Sequence, residues 1–242
     1  MNTPSQYLTP RALCKVGGVM YLLVILLGLS QELFVRGKLF VPGDTTATAE
    51  GLKAVGFLWR SGLVMEIAML FATIVLGWVI YCLLRPTNKD LSLLALVFCL
   101  SAVAVEASYT LRALEALYPL GENAYLGAWT DEQLTGMSYL SARAYVNGFG
   151  IVLFLFSPYF LVAGYLLMRS GYFPRALGVL YLLPGVGYLS HGLAQILAPA
   201  FAGKVFMVVA GPAFVGELSF CLWLLFKGVD PGGWQRATNN AI

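Results

Sequence analysis

Glu66, Glu106, Arg112, Arg143, Asn147, His191 and Glu217 lie in stretches otherwise built from aliphatic and aromatic residues. An ionisable group at the centre of a hydrocarbon layer costs ~2.5–3.5 kcal/mol on insertion scales, so each marks a candidate ligand-binding position. Spacing groups them further. Arg143 and Asn147 are four apart, Tyr188, His191 and Gln195 advance by three and four, and Glu106, Tyr109 and Arg112 advance by three; residues so spaced share a helix face. A single cluster of Glu66, Glu106, Arg112, Arg143 and His191 with Glu217 at its floor is the economical arrangement, because acids and bases in low dielectric stabilise one another's charged forms. Such a cluster would hold a small polar or amphipathic molecule. The competing role for the same residues is to fix helix register through buried ion pairs. Glu32 and Arg60 lie nearer span ends, from which long side chains reach the headgroups.

The catalytic chemistries that leave sequence marks are missing. With His191 as the one histidine, a bis-histidine haem and an HExxH zinc site are both excluded. Glu66, Glu106 and His191 have ligand types without ligand spacing, so no metal and no cofactor is expected. Ser190 beside His191 cannot act as nucleophile and base through adjacency, there is no GxSxG elbow, and no phosphate-cradling glycine loop is present. Catalytic residues therefore remain unassigned. Cys14, Cys82, Cys99 and Cys221 form no CxxC pair and are expected to be free thiols.

These residues must be positioned by membrane helices. Hydrophobic residues make up 59% of the chain and charged residues 11%, with a mean hydropathy of +0.78, too little polar surface to coat a globule. A net charge of +3 with scattered basic residues excludes a nucleic-acid binder. Crossing ~30 Å of hydrocarbon takes ~20 apolar residues. Six stretches qualify, at residues 16–34, 57–84, 91–117, 139–168, 176–197 and 205–226. The expected fold is thus an all-α polytopic bundle, one domain over residues 1–242, with short loops and two longer exterior connections. Pro42-Gly43-Asp44, Pro86-Thr87-Asn88 and the segments 171–174 and 199–203 mark breaks. Thr130-Asp131-Glu132-Gln133 has capping-box spacing and should open the helix leading into span four. Pro158, Pro184 and Pro212 each remove a backbone donor within a span and can kink it. Arg11 and Lys15 before an apolar run, followed by Gly28-Leu29-Ser30, also fit a signal peptide, but the run is long for one, and retention as an anchor is expected.

Over nearly its whole length the chain resembles a family of bacterial membrane proteins catalogued as domain-of-unknown-function family 4386. The likeness is carried by Gln31-Glu32-Leu33-Phe34-Val35-Arg36 leading to Val41-Pro42-Gly43-Asp44, and by Leu83-Leu84-Arg85-Pro86. Further on come Gly164-Tyr165-Leu166, Ser170-Gly171, Pro174-Arg175-Ala176-Leu177-Gly178, Gly216-Glu217-Leu218, Trp223-Leu224-Leu225 and Lys227-Gly228. It implies a multi-span protein with its first span kept, implies no activity, and points to Glu32, Arg36 and Glu217. Three functions stay open: a membrane protein binding or translocating a small molecule, a non-catalytic assembly subunit that associates with other chains or itself, and an intramembrane hydrolase. The partners expected are the lipid bilayer and an unknown small molecule, with no nucleic acid; oligomers are possible.

Arg11 and Lys15, Arg85 and Lys89, Arg169 and Arg175, then Lys227 and Arg236 occur at every second boundary, against Arg36, Lys38 and Lys53 on the other side. The positive-inside rule then puts both termini in the cytoplasm of a cell with this protein in its inner membrane. Reporter fusions after Met168 and at the C-terminus should read as cytoplasmic and one near Asn123 as exterior. An exterior C-terminus would overturn the assignment.

Overall fold

A computed structural model describes residues 9–122 and 124–240, so Asn123 lies outside the described residues. The regular elements among them are all helical: α1 (Pro10–Leu39), α2 (Thr45–Ala54), α3 (Gly56–Leu84), α4 (Lys89–Glu115), α5 (Asp131–Arg169), α6 (Arg175–Leu197), α7 (Pro199–Phe226) and α8 (Pro231–Asn240). Two 3₁₀ turns, Tyr118–Leu120 and Ala124–Ala128, lie in the long connection before α5. Six helices, α1 and α3 to α7, are long and apolar enough to span a bilayer. The protein is a multi-pass membrane protein.

Helix starts follow capping chemistry. The Ala12 amide donates to Thr9 Oγ1 at 3.2 Å with Pro10 at the first helical position, Ala47 donates to Asp44 Oδ1 at 2.8 Å, and Leu91 donates to Asn88 Oδ1 at 2.9 Å. At Thr130 the capping box is complete, with both reciprocal bonds present, and the helix it opens runs without a break through span four. Each span packs on its neighbours in sequence, and α7 returns to α1, closing a ring of six. The start of α1 and the end of α7, with α8, therefore lie at one end. There, Tyr172 donates to the Leu83 carbonyl at 2.6 Å, and its own carbonyl accepts from Asp230 N at 3.0 Å. Burial pushes the Tyr172 phenol up to about 12, so it stays a donor at neutral pH. At the far end, α2 lies against α5, and Gly43 N donates to the Tyr139 hydroxyl at 2.7 Å.

Two hydrophobic clusters fill the ring. The one towards the termini includes Tyr21, Val79, Tyr159, Tyr181 and Phe220; the one at the far end includes Val35, Trp59, Tyr109, Tyr145 and Val152. All four cysteines are free and buried.

Pro158, Pro184 and Pro212 all sit inside continuous α-helix. At Pro158 the reason is visible, since the Phe154 carbonyl that loses its backbone donor accepts instead from Ser157 Oγ at 2.8 Å. The irregular helix is α1, which widens into a π turn at Gln31–Arg36 where no proline occurs.

Close helix approach rests on glycine. A Cβ on Gly178 would lie 2.4 Å from Met168 Cγ and 2.7 Å from the Gly164 carbonyl oxygen, whereas one on Gly203 would meet nothing within 4 Å. Gly178→Ala should therefore force α5 and α6 apart, at a cost of about 1–3 kcal/mol. Gly203→Ala should be neutral or gain up to about 1 kcal/mol of helix propensity. Thermal unfolding in detergent separates the two; equal melting temperatures would refute the tight α5–α6 contact.

Candidate functional site

At the centre of the far-end cluster is the Glu66 carboxylate, fully buried in α3. Hydrocarbon offers it no water, so its lone pairs must be met by protein donors. Tyr109 of α4 donates to Oε1 at 2.8 Å, Gln31 of α1 donates to Oε2 at 3.0 Å, and Tyr145 of α5 donates to Oε2. Gln31 Nε2 also reaches the Gly62 carbonyl, one turn before Glu66. Gly62 permits that approach: a Cβ there would lie 2.8 Å from Val35 Cγ1.

The π turn brings a second group to this place. In an α-helix, residues five apart face different ways; the i to i+5 turn puts Gln31 and Arg36 on one side, and both are buried while Glu32, Leu33 and Phe34 are exposed. The Arg36 guanidinium stacks over the Phe149 ring at 4.2 Å and lies 5.7 Å from the Tyr145 ring. Its Nε is 3.2 Å from Glu32 Oε2, yet neither Nε nor Nη1 has a well-aligned hydrogen-bond acceptor among the described residues. Glu106 of α4 is 4% exposed.

A second carboxylate network lies nearer the middle of the bundle. Glu217 of α7 accepts from Tyr21 of α1 at 3.2 Å and from Tyr188 of α6. The Tyr21 and Tyr181 hydroxyls are 3.3 Å apart, and Tyr181 and Tyr159 are 3.2 Å apart. Tyr21 has one proton; donating it to Glu217 leaves its oxygen to accept from Tyr181, and Tyr181 in turn accepts from Tyr159.

Between the two clusters lies a cavity of about 260 Å³. Val24, Gly28 and Leu29 of α1 form one wall and Phe206, Ala210 and Phe214 of α7 the opposite one; Glu217, Tyr21 and Tyr188 lie at one end, Glu106, Arg36 and Glu32 at the other. Towards the termini it is shut where Gly18 lies against Leu225 and Cys221 Sγ contacts the Gly18 carbonyl at 3.5 Å. Leu29 and Phe214, which line it, are 43% and 40% exposed. A wider cavity of about 740 Å³ at the far end is lined by Arg143, Asn147, His191 and Gln195. Glu32, Arg36, Phe149 and Phe206 line both, so the two spaces meet at Arg36.

The residues picked from sequence fall into separate groups. Arg143, Asn147 and His191 share the wider cavity, Glu106 and Glu217 share the narrower one, and Glu66 is sealed by its three donors behind it. Arg112 joins none of them: its side chain is 56% exposed and pairs with Glu115 at 2.7 Å. A step of three residues falls roughly 60° short of a full turn, so two steps from Glu106 carry Arg112 about 120° around the helix. His191, 9% exposed, has Nδ1 3.3 Å from the Ala202 carbonyl and its ring 5.0 Å from that of Phe206. Gln195 Nε2 donates to the Asn147 carbonyl at 2.5 Å. Gly150 gives both side chains their room, since its Cβ would lie 1.6 Å from Gln195 Oε1 and 2.9 Å from His191 Nε2. The family resemblance points to Arg36, whereas regular helical spacing gives neither Arg36 nor Gln31 a place beside Glu66. The available signal was the family-like segment from Gln31 to Arg36, whose two polar ends are five apart.

The family model described as "Domain of unknown function (DUF4386)" matches residues 16–228. This chain belongs to the DUF4386 family. An uncharacterized protein of Archaeoglobus fulgidus is 29% identical to it over 151 residues, covering 62% of this chain and 72% of that protein. No solved structure matches. The DUF4386 match begins before Gly17 and Gly18, where α1 meets Val79 and Leu225, so the first span belongs to the family's shared bundle.

In this DUF4386 protein the buried and the exposed charges should respond very differently to mutation. Glu66→Ala strands three donors and the nearby Arg36, and should cost roughly 3–5 kcal/mol of unfolding free energy. Arg112→Ala breaks an exposed pair and should cost less than about 1 kcal/mol. Denaturant titration in mixed micelles measures both; a Glu66→Ala loss no larger than that of Arg112→Ala would remove Glu66 from its central place.

Proposed function

We propose that this DUF4386 protein binds an amphipathic small molecule in the cavity enclosed by the six spans, where α1 faces α7, taking its apolar part from the lipid phase. The observation that carries this is the cavity itself: a mostly apolar space lined by all six spans, with the half-exposed Leu29 and Phe214 in its walls and with Arg36 shared between it and a polar vestibule. A membrane helix pair without a ligand gains nothing from such a gap, because unfilled space forfeits dispersion contacts. Burying a tail there while a polar group meets Arg36, or Arg143 and His191 beyond it, satisfies both kinds of surface. With the termini in the cytoplasm, the vestibule opens to the exterior. The ligand site then comprises Glu106, Arg143, Asn147, His191 and Glu217, joined by Arg36; Glu66 holds the wall behind them.

Gly28 offers a direct test, since it lines the cleft and a Cβ there makes only an ordinary 3.7 Å contact with Met69 Sδ. A series of single-chain amphiphiles with amine, carboxylate, phosphocholine and alcohol heads should contain at least one that raises the melting temperature of the purified protein saturably. Gly28→Phe, which fills the cleft, should fold and lose that response. If no head group stabilises the protein, or if Gly28→Phe responds as the parent does, the cleft is not a binding site.

A further inference from the structure

We infer that Glu217 and the aromatic residues around it form a recognition site for an organic cation, an alkyl- or arylammonium group carried on an apolar body. This rests on the amphipathic-ligand reading of the same cavity and narrows it to one class of molecule.

Glu217 reaches the cavity from α7, and its two hydrogen-bond donors are both neutral phenols, Tyr21 and Tyr188. Every charged or titratable neighbour can be named. α1 presents Tyr21, α5 presents Tyr159, α6 presents Tyr181 and Tyr188, and α4 presents Cys99 with Glu106 farther along. α3 contributes the uncharged Met69, Thr73 and Leu76, and Cys221 lies one turn along α7 itself. Among the described residues Arg36 is the one cation lining the cavity, and it belongs to the opposite end. It borders the level of Phe206, eleven residues before Glu217 on α7 and thus roughly 16 Å away along the axis. There it is already bracketed by Glu32 at 3.2 Å and the Phe149 ring at 4.2 Å.

Inside hydrocarbon a carboxylate without a cation must take up a proton or a cationic ligand. The phenols of Tyr159, Tyr181 and Tyr21 can align as successive donors leading to Glu217, which favours its ionised form once a cation is present. The rings of Tyr21, Tyr181 and Phe220 meet edge to face or tilted around this end, and Phe160 packs against Tyr181 and Tyr188. Aromatic walls beside a carboxylate are the chemistry that recognises ammonium groups. Glu106 supplies an independent observation. It lines the same cavity, is 4% exposed, and its carboxylate makes no hydrogen bond or ion pair among the described residues. The cavity thus carries more negative than positive groups, and a cationic ligand balances them.

The test uses the full chain purified in detergent and three probes of matched shape: benzyltrimethylammonium, its neutral carbon analogue neopentylbenzene, and phenylmethanesulfonate. Calorimetry or quenching of intrinsic fluorescence should give saturable binding of the ammonium, at least tenfold tighter than either comparison probe. Because the cation displaces a proton, its binding should weaken as pH falls. Glu217→Gln should weaken ammonium binding tenfold or more and flatten the pH profile, while Glu217→Asp restores part of both; melting curves of each variant confirm folding. Equal affinity for the ammonium and its neutral analogue, or unchanged ammonium binding in Glu217→Gln, would overturn the cation assignment while leaving the cleft intact. Absence of binding by all three probes overturns it as well. The amphiphile series with Gly28→Phe then decides the cleft separately.

Discussion

The Glu66 carboxylate sets the far half of this bundle. Placed in α3 where no water can reach, it is tolerable only if donors arrive from other helices, and they come from α1, α4 and α5 through Gln31, Tyr109 and Tyr145. Meeting that demand fixes the rotation of three spans around a fourth. Gly62 must lack a side chain so that Gln31 can approach, and α1 must widen by one residue so that Gln31 and Arg36 both turn inward. The backbone irregularity and the buried arginine are consequences of satisfying one charge.

That adjustment bears on the space between α1 and α7. The two helices touch at Gly17, Gly18 and Tyr21, near the end that carries the termini. Farther along, α1 turns its polar face to α3 through Gln31, leaving Val24, Gly28 and Leu29 opposite Phe206, Ala210 and Phe214 with a cavity between them. The two hydrophobic clusters lie to either side of this space, with Phe156 packed against both. A gap framed by two solid cores keeps its shape, which a gap inside one loosely packed core would not.

The six spans were legible because they rest on composition and length, quantities that need no partner: a run of ~20 apolar residues excludes water wherever it folds. The capping box at Thr130 was legible for the same reason, being local. Side-chain convergence was only partly legible. Arg143, Asn147 and His191 meet because four-residue steps stay on one face, while Arg112 swings away because steps of three drift. Arg36 was hidden by the π turn, which changes the helical period in a way that spacing on a regular helix cannot anticipate. At Pro158 the Ser157 hydroxyl completes the backbone that the proline leaves open, a local compensation that the proline itself does not announce.

The buried acids differ in what surrounds them, and that difference separates structural from functional charge. Glu66 has three donors from three helices and does not line the cavity; any ligand would have to displace a bond that holds the bundle. Glu217 has two phenol donors and lines the cavity, so one side remains open to a further partner. Glu106 lines it with no direct hydrogen bond or ion pair to its carboxylate among the described residues, the Arg36 charge acting on it from the same end. An unmet polar group in hydrocarbon is costly, and the cost persists only where something outside the fold relieves it. Reading along the bundle from Glu66 to Glu106 to Glu217, burial is similar in kind but access to the cavity changes, and it is on this access that the proposed ligand role of the last two rests.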